Sequence, residues 1–92
     1  MEVTLKIKEG FVLRRVMGNN VIIAVGAASR DFHGMVQLNE SAADIWNFIA
    51  EGKSRDEIVD AMMQKYEADR DVIEADVCRS IDMFVSNGLV EE

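Results

Sequence analysis

Proline is absent from the 92 residues, and cysteine, histidine, tryptophan and tyrosine each occur once. The single cysteine, Cys78, cannot form an internal disulfide, which excludes the covalent scaffold of small secreted domains. No apolar run approaches the roughly 18 residues that a membrane-spanning helix requires. The N-terminus has no basic segment followed by an apolar one, so no signal peptide is evident. We therefore expect a cytoplasmic protein.

Basic side chains are the minority of the charged residues. Ten lysines and arginines stand against 17 aspartates and glutamates, for a net charge of −7. Most of the excess lies in residues 53–92, which carry five basic and eleven acidic side chains. An acidic surface repels phosphate backbones and anionic lipids, which disfavours nucleic acid and membrane as partners. A partner with basic residues would be attracted.

The composition indicates one globular domain over residues 1–92. Hydrophobic residues make up 49% and charged residues 29% of the chain, which is typical of a folded protein. No internal repeat, low-complexity tract or linker divides it, and a chain of this length supports one modest core.

The N-terminal part predicts three strands, over residues 11–17, 21–25 and 34–38. Gly18, Asn19 and Asn20 tolerate positive φ and predict a tight turn after the first strand. The second strand is apolar on both faces, which predicts a central strand covered on each side. Short connections between consecutive strands favour an antiparallel meander.

The remaining sequence predicts three helices, over about 41–51, from 54 onward, and 71–87. Asn39 and Ser41 offer oxygens that can cap the first of them. Each start also shows a possible reciprocal cap, with an acidic residue three positions on: Ser41 with Asp44, Ser54 with Glu57, and Asp71 with Glu74. Gly52 and Gly88 provide left-handed stops. Strands followed by helices predict an α+β domain, compatible with a winged-helix arrangement.

Side chains suited to catalysis or metal binding are few. His33 has no second histidine or cysteine cluster as a partner, so a turn histidine partly packed on the sheet is favoured over a base or ligand. Cys78 is predicted to be a buried, apolar thiol. The carboxylates of the second helix lack the alternating spacing of a calcium loop and favour a solvated acidic face. We expect no enzymatic activity, no metal and no cofactor.

The third predicted helix has two faces, because successive residues are rotated by about 100°. One apolar stripe is predicted to be core: Ile73, Val77, Ile81, Phe84 and Val85. A second face, beside Arg79, mixes apolar and polar side chains: Val72, Asp76, Ser80 and Met83. This face suits a peptide groove, but Val72 and Met83 could equally widen the core stripe.

The third predicted strand closes the meander and should be a sheet edge. Edges are usually protected by lysine, proline or a bulge, and residues 35–38 show none of these. This edge is therefore either covered by the third helix or open to accept a strand from a peptide.

The order of these features resembles the PqqD-like family, also called RiPP recognition elements. The resemblance is a distributed pattern over about 10–90, carried by the junction at 38–46, the helix end at 51–54, Asp76 and Val77, and the final stop at 87–90. Members of the family bind the leader segment of a ribosomally made precursor peptide. The resemblance implies a winged-helix-like fold in which the leader adds to the third strand and lies against the third helix.

Carried over by position, the resemblance implies a pairing strand and a helical wall: Met35, Val36, Gln37 and Leu38, and Val72, Asp76, Arg79, Ser80 and Met83. It implies a non-catalytic adaptor that presents the precursor to a modifying enzyme, often a radical SAM maturase. Members that act in coenzyme PQQ synthesis tend to carry a Pro-Glu-Gly-like turn after the second strand. This chain has Ala-Ala-Ser-Arg at 27–30, which puts PQQ itself in doubt as the product.

Two other functions remain open from the sequence. A winged-helix regulator of transcription would share the architecture, but its reading helix should be basic, whereas Asp71, Glu74, Asp76 and Asp82 outnumber Arg79 in the third helix. A small scaffold that dimerises through the third strand would use the same open edge. We expect a monomer or a weak homodimer.

Overall fold

The structure, a computed structural model, describes residues 5–30 and 34–92. Within these residues the strands are β1 (Lys6–Ile7), β2 (Phe11–Val16), β3 (Asn19–Ala24), β4 (Met35–Leu38) and β5 (Val90–Glu91), and the helices are α1 (Glu40–Ala50), α2 (Arg55–Lys65) and α3 (Arg70–Ser86). A 3₁₀ turn, Gly26–Arg30, follows β3. The predicted α+β order of sheet and then helices is confirmed. His33, predicted to be a turn histidine, lies outside the described residues.

Strands β2, β3 and β4 form an antiparallel sheet in that order, which confirms the predicted meander. The β2–β3 turn is tighter than predicted, because Val16 pairs directly with Asn19. Only Met17 and Gly18 lie in the turn, with φ of 50° and 83°. Two residues with positive φ match the right-handed twist of a hairpin. Asn19 and Asn20, which we predicted in the turn, are therefore the first residues of β3.

The short strands β1 and β5 were not predicted from the sequence. They pair antiparallel, with Lys6 opposite Glu91 and Ile7 opposite Val90. The backbone N–H of Lys8 also donates to the carbonyl of Leu89 at 2.9 Å. Strands of two residues are too short to show a periodic pattern, and only the fold brings these distant segments together.

The cap of α2 is the one predicted. The Ser54 hydroxyl accepts from the Glu57 backbone N–H at 3.3 Å, and the Glu57 carboxylate accepts from the Ser54 backbone N–H at 3.0 Å. The backbone N–H of Ser54 favours the ionised carboxylate and so lowers the pKa of Glu57. The reciprocal pair at Ser54 is confirmed.

The cap of α1 differs from the predicted pair. Asn39 is the capping residue, and its side-chain oxygen accepts from the backbone N–H of Ala42 at 2.9 Å. Ser41 lies inside the helix and its hydroxyl donates to Asn39 Oδ1 at 3.1 Å. Asp44 does not turn back toward a cap, because Lys65 and Tyr66 of the α2 end bond to its carboxylate. The predicted Ser41–Asp44 pair is wrong.

The start of α3 was also misplaced. The capping residue is Asp69, whose side chain makes no capping hydrogen bond, and Asp71 lies within the helix. Glu74 bonds to the Arg70 guanidinium at 3.0 Å instead of reaching back to a cap. The same guanidinium bonds to Asp60 of α2 at 3.1 Å, so contacts between side chains organise this helix start.

The core lies between one face of the sheet and the three helices. Ile22 of β3 and Phe84 of α3 are both 0% exposed, and Trp46 of α1 meets the Phe84 ring edge-on, with centroids 5.2 Å apart. Two residues predicted to be buried are exposed, namely Cys78 and Val85. Each directly follows a core residue on α3 and is therefore rotated by about 100° out of the buried stripe.

The second side of the central strand β3 is only partly covered, where we predicted cover on both sides: Val21, between Arg14 and Gln37, is 6% exposed. Ile22 belongs to the core, whereas Ile23 points to the opposite face and remains partly exposed. Met35, which pairs with Ile23, is 66% exposed. Over the described residues, no helix has the length and apolar character needed to cross a membrane.

Candidate peptide-binding groove

Strand β4 is an edge of the sheet. It pairs with β3 on one side, and no strand of the described chain pairs with it on the other. Leu38 is only 4% exposed and Val36 packs against the core, whereas the side chains of Met35 and Gln37 are exposed. The strand can therefore offer backbone N–H and C=O groups to a partner, but not the side chain of Leu38.

An open cavity of about 240 Å³ lies between the C-terminal end of β4 and α3. It brings together six of the nine residues predicted for the site: Gln37, Leu38, Asp76, Arg79, Ser80 and Met83. Asn39 and Ala42 of the α1 start complete the lining and were missed. The junction after β4 was assigned only a capping role, although its position beside the strand end could have indicated these two residues.

A second cavity, of about 250 Å³, continues along α3 toward its N-terminal end. Val72, predicted for the site, lies here beside Asp76 and Arg79, which also line the first cavity. The remaining lining, contributed by all three helices and the α2–α3 turn, was not predicted for the site: Ser41, Met62, Tyr66, Ala68 and Ile73. We call the two cavities together the α3 groove. Met35 and Val36 line neither of them.

The α3 groove has an apolar floor and two charged residues at its centre. Val72 is 59% exposed, so the alternative that it widens the core is wrong, whereas half-buried Met83 does pack against the core. Asp76 and Arg79 make no hydrogen bond or ion pair with another described residue. Both charges are therefore available to a ligand.

A polar network holds one wall of the α3 groove in place. The Tyr66 hydroxyl donates to Asp44 Oδ2 at 2.5 Å, and the Lys65 ammonium donates to Asp44 Oδ1 at 2.8 Å. The hydrogen bond to Asp44 is the main reason that the pKa of Tyr66 rises to about 12. The sequence analysis placed Asp44 in a cap, so it missed a link between residues 22 positions apart.

The sheet has a second edge, at β2, that the sequence analysis did not consider. A cavity of about 560 Å³ lies along it, between β1, β2 and α1. Its charged lining residues are Lys6 and Arg14, while Trp46 and Asn47 contribute the wall on α1. This edge is a second position at which an extended peptide could add, and experiment can distinguish it from β4.

No cluster of three histidine, cysteine or acidic side chains that could hold a metal ion occurs in the described ranges 5–30 and 34–92. Cys78 is an exposed free thiol. The acidic side chains of α2 and the turn after it are exposed, as expected of a solvated face. The groove between β4 and α3 is the place where the structure brings most of the predicted site residues together.

Solved structures share this fold. The structure described as TbiB1 in complex with the TbiA(beta) leader peptide is 26% identical, covers 94% of both chains and has a TM-score of 0.76. A lasso peptide synthetase B1 complexed with the leader peptide is 18% identical, covers 96% of this chain and 98% of the other, and has a TM-score of 0.77.

A third similar structure comes from Methylobacterium extorquens. It is the PqqD truncation of PqqCD, described as a functional, stand-alone RiPP recognition element. It is 19% identical, with a TM-score of 0.75, and the match covers 97% of this chain and 89% of the other. A search of curated protein sequences finds no match to this chain.

A family model described as coenzyme PQQ synthesis protein D (PqqD) matches residues 12–90. The match begins in β2, includes β4 and α3, and ends at the first residue of β5. The chain therefore belongs to the PqqD family.

Proposed function

We propose that this chain is a peptide-binding adaptor that captures the leader of a ribosomally made precursor peptide. The observation that carries the proposal is the edge strand β4 beside the open α3 groove, in a chain of the PqqD family. Two proteins of the same fold have structures in complex with leader peptides.

The leader would bind as an added strand on β4. Backbone hydrogen bonds to residues 35–38 would supply affinity without regard to sequence. Because side chains alternate along a strand, every second leader residue would point toward the α3 groove. Apolar leader side chains would meet Val72 and Met83, while Asp76 and Arg79 would select basic and acidic neighbours.

The adaptor itself would carry out no chemistry and would present the precursor to a separate modifying enzyme. A radical SAM maturase is one kind of enzyme that fits this role. The exposed free thiol of Cys78 suits a reducing cytoplasm, where we place the complex.

A DNA-binding winged helix is not supported. The second arginine of α3, Arg70, is already bonded to Asp60 and Glu74, which leaves Arg79 as the helix's one cation without an ion pair in the described chain. Duplex DNA would meet net negative charge on this helix. Self-association through β4 remains a testable competitor, which sedimentation of the free protein would detect.

The test is a titration of the isotope-labelled protein with the leader of the precursor encoded beside its gene. We expect the amide resonances of β4 and of residues 72–83 to shift, with those of the exposed face of α2 unchanged. Shifts confined to β2 and α1 would place the peptide at the other edge. No shift in β4 or α3 at saturating leader would refute the proposal.

A further inference from the structure

The sheet face that points away from the helices is largely apolar. Val12, Ile23 and Met35 pair directly across β2, β3 and β4, and form one row on this face. On the same face, Val25 directly follows β3, and Val16 lies beyond the row of Arg14, Val21 and Gln37, in which Val21 is only 6% exposed; Val16 and Val25 are 44% and 42% exposed. We call Val12, Val16, Ile23, Val25 and Met35 the outer apolar face. They alternate with Leu13, Ile22 and Val36, which pack in or against the core.

An antiparallel sheet that packs helices on one side usually presents polar residues on the other. Here the three strands have valine, isoleucine and methionine on this outward face, although serine, threonine or lysine at the same positions would not disturb the core. Neighbouring exposed apolar residues on a soluble domain mark contact sites for other proteins. The α3 groove does not use these five residues, since none of them lines it.

The charges around the outer apolar face indicate what covers it. The charged residues of β2, β3 and β4 are Arg14 and Arg15, both basic. Arg14 lies on the face itself, beside Val12 and Val16, and no carboxylate of β2, β3 or β4 accompanies it. Two copies packed face to face would bury Arg14 of each copy against a face whose strands offer it no carboxylate, which is unfavourable.

We propose that the outer apolar face docks the modifying enzyme through an apolar patch with acidic residues at its rim. This inference rests on the proposed adaptor function. Apolar contact would provide the affinity, and Arg14 would pair with a carboxylate at the partner's rim and disfavour a basic one.

The position of β4 links this dock to the leader. Met35 lies on the outer apolar face, while the free edge of the same strand is where the leader would add. A leader strand beside β4 would extend the sheet, so its side chains that point away from the α3 groove would continue the outer apolar face. The enzyme would then contact adaptor and leader together. Leader binding should therefore tighten enzyme binding.

The experiment measures two affinities on each protein variant, for the leader and for the modifying enzyme encoded in the same gene cluster. Ile23→Glu places a carboxylate at the centre of the face, opposite the acidic rim. A milder variant replaces Val12, Val16 and Val25 by threonine, which retains β propensity. Val85→Glu is the matched control, an exposed valine of α3 away from the sheet. Circular dichroism checks that each variant is folded.

We expect Ile23→Glu and the triple threonine variant to bind the enzyme at least about tenfold more weakly, with leader affinity within about twofold of the unchanged protein. Val85→Glu should change neither affinity. The docking site would be refuted if neither face variant weakened enzyme binding. It would also be refuted if the unchanged protein bound the leader but not the enzyme. Sedimentation that shows a dimer abolished by the triple variant would assign the face to a second copy instead. Failure to bind leader at all would refute the adaptor function itself.

Discussion

Tyr66 donates its hydroxyl hydrogen to Asp44, and this bond joins the end of α2 to α1 at one wall of the α3 groove. The Lys65 ammonium binds the other oxygen of the same carboxylate. One partly buried acid therefore fixes two consecutive residues where α2 ends. Removing the Tyr66–Asp44 bond should therefore change both the stability of the fold and the titration of Tyr66.

Tyr66→Phe should destabilise the fold by about 1.5 kcal/mol, since hydrogen bonds to charged groups contribute somewhat more than neutral ones. Asp44 would keep Lys65, so the domain should still fold. Urea denaturation measures the difference. A change of only a few tenths of a kcal/mol would mean that water replaces the phenol without loss.

The titration of Tyr66 can be followed directly, because it is the one tyrosine of the chain. Asp44 is the main cause that raises the pKa of Tyr66 from 10.0 to about 12, so ultraviolet absorbance of tyrosinate should rise late. In Asp44→Asn the midpoint should move back toward 10.0. Because the pKa of Tyr66 is higher in the folded protein than in the unfolded chain, the Tyr66–Asp44 bond contributes its full stabilisation below pH 10.0. That contribution is lost as the pH rises toward about 12. Unfolding free energy should fall more steeply over that window in wild type than in Tyr66→Phe.

Met17 occupies a turn position that disfavours its side chain. Its φ is 50° and it is 96% exposed, so it gains little from packing. Met17→Asn should stabilise the hairpin by about 0.5 kcal/mol, because asparagine adopts positive φ more readily. Met17→Val should destabilise it. Thermal melting of the three proteins gives their order of stability. Equal melting temperatures for Met17→Val and Met17→Asn would contradict the turn geometry.

Gly10 and Gly26 form a matched pair for testing close packing. Both have positive φ, of 94° and 63°, so alanine strains either backbone. A Cβ on Gly10 would also lie 2.6 Å from the Cβ of Ala28, whereas one on Gly26 meets nothing within 4 Å. Gly10→Ala should therefore cost clearly more than the roughly 1 kcal/mol expected for Gly26→Ala. Equal losses of unfolding free energy in the two variants, measured by chemical denaturation, would refute the close contact between Gly10 and Ala28.

Val72 and Val85 are both exposed on α3, but only Val72 lines the α3 groove. Val72→Ser should weaken leader binding about fivefold, equivalent to about 1 kcal/mol of lost apolar burial. Val85→Ser should leave affinity unchanged. Isothermal titration with the leader measures both, and equal affinities of the two variants would remove Val72 from the binding surface.

Local sequence patterns correctly predicted features whose interacting groups lie only a few residues apart. The Ser54–Glu57 cap is correct because its groups are three residues apart and need nothing else. The same pattern at Ser41 and Asp44 failed because Lys65 and Tyr66 compete for the acid from another helix. Periodicity likewise found the buried stripe of α3 but extended it one residue too far, to Val85.

The amino-acid order alone determined the meander, the three helices and the unprotected residues of β4, since propensity, caps and spacing act along the chain. Tertiary structure decided which side of the sheet the helices cover, so it separated Ile22 in the core from Ile23 on the outer apolar face. It also formed the α3 groove from β4, the three helices and the turn between α2 and α3. Burial depends on which elements pack together, and a strand that is apolar on both faces does not specify which face the helices will cover.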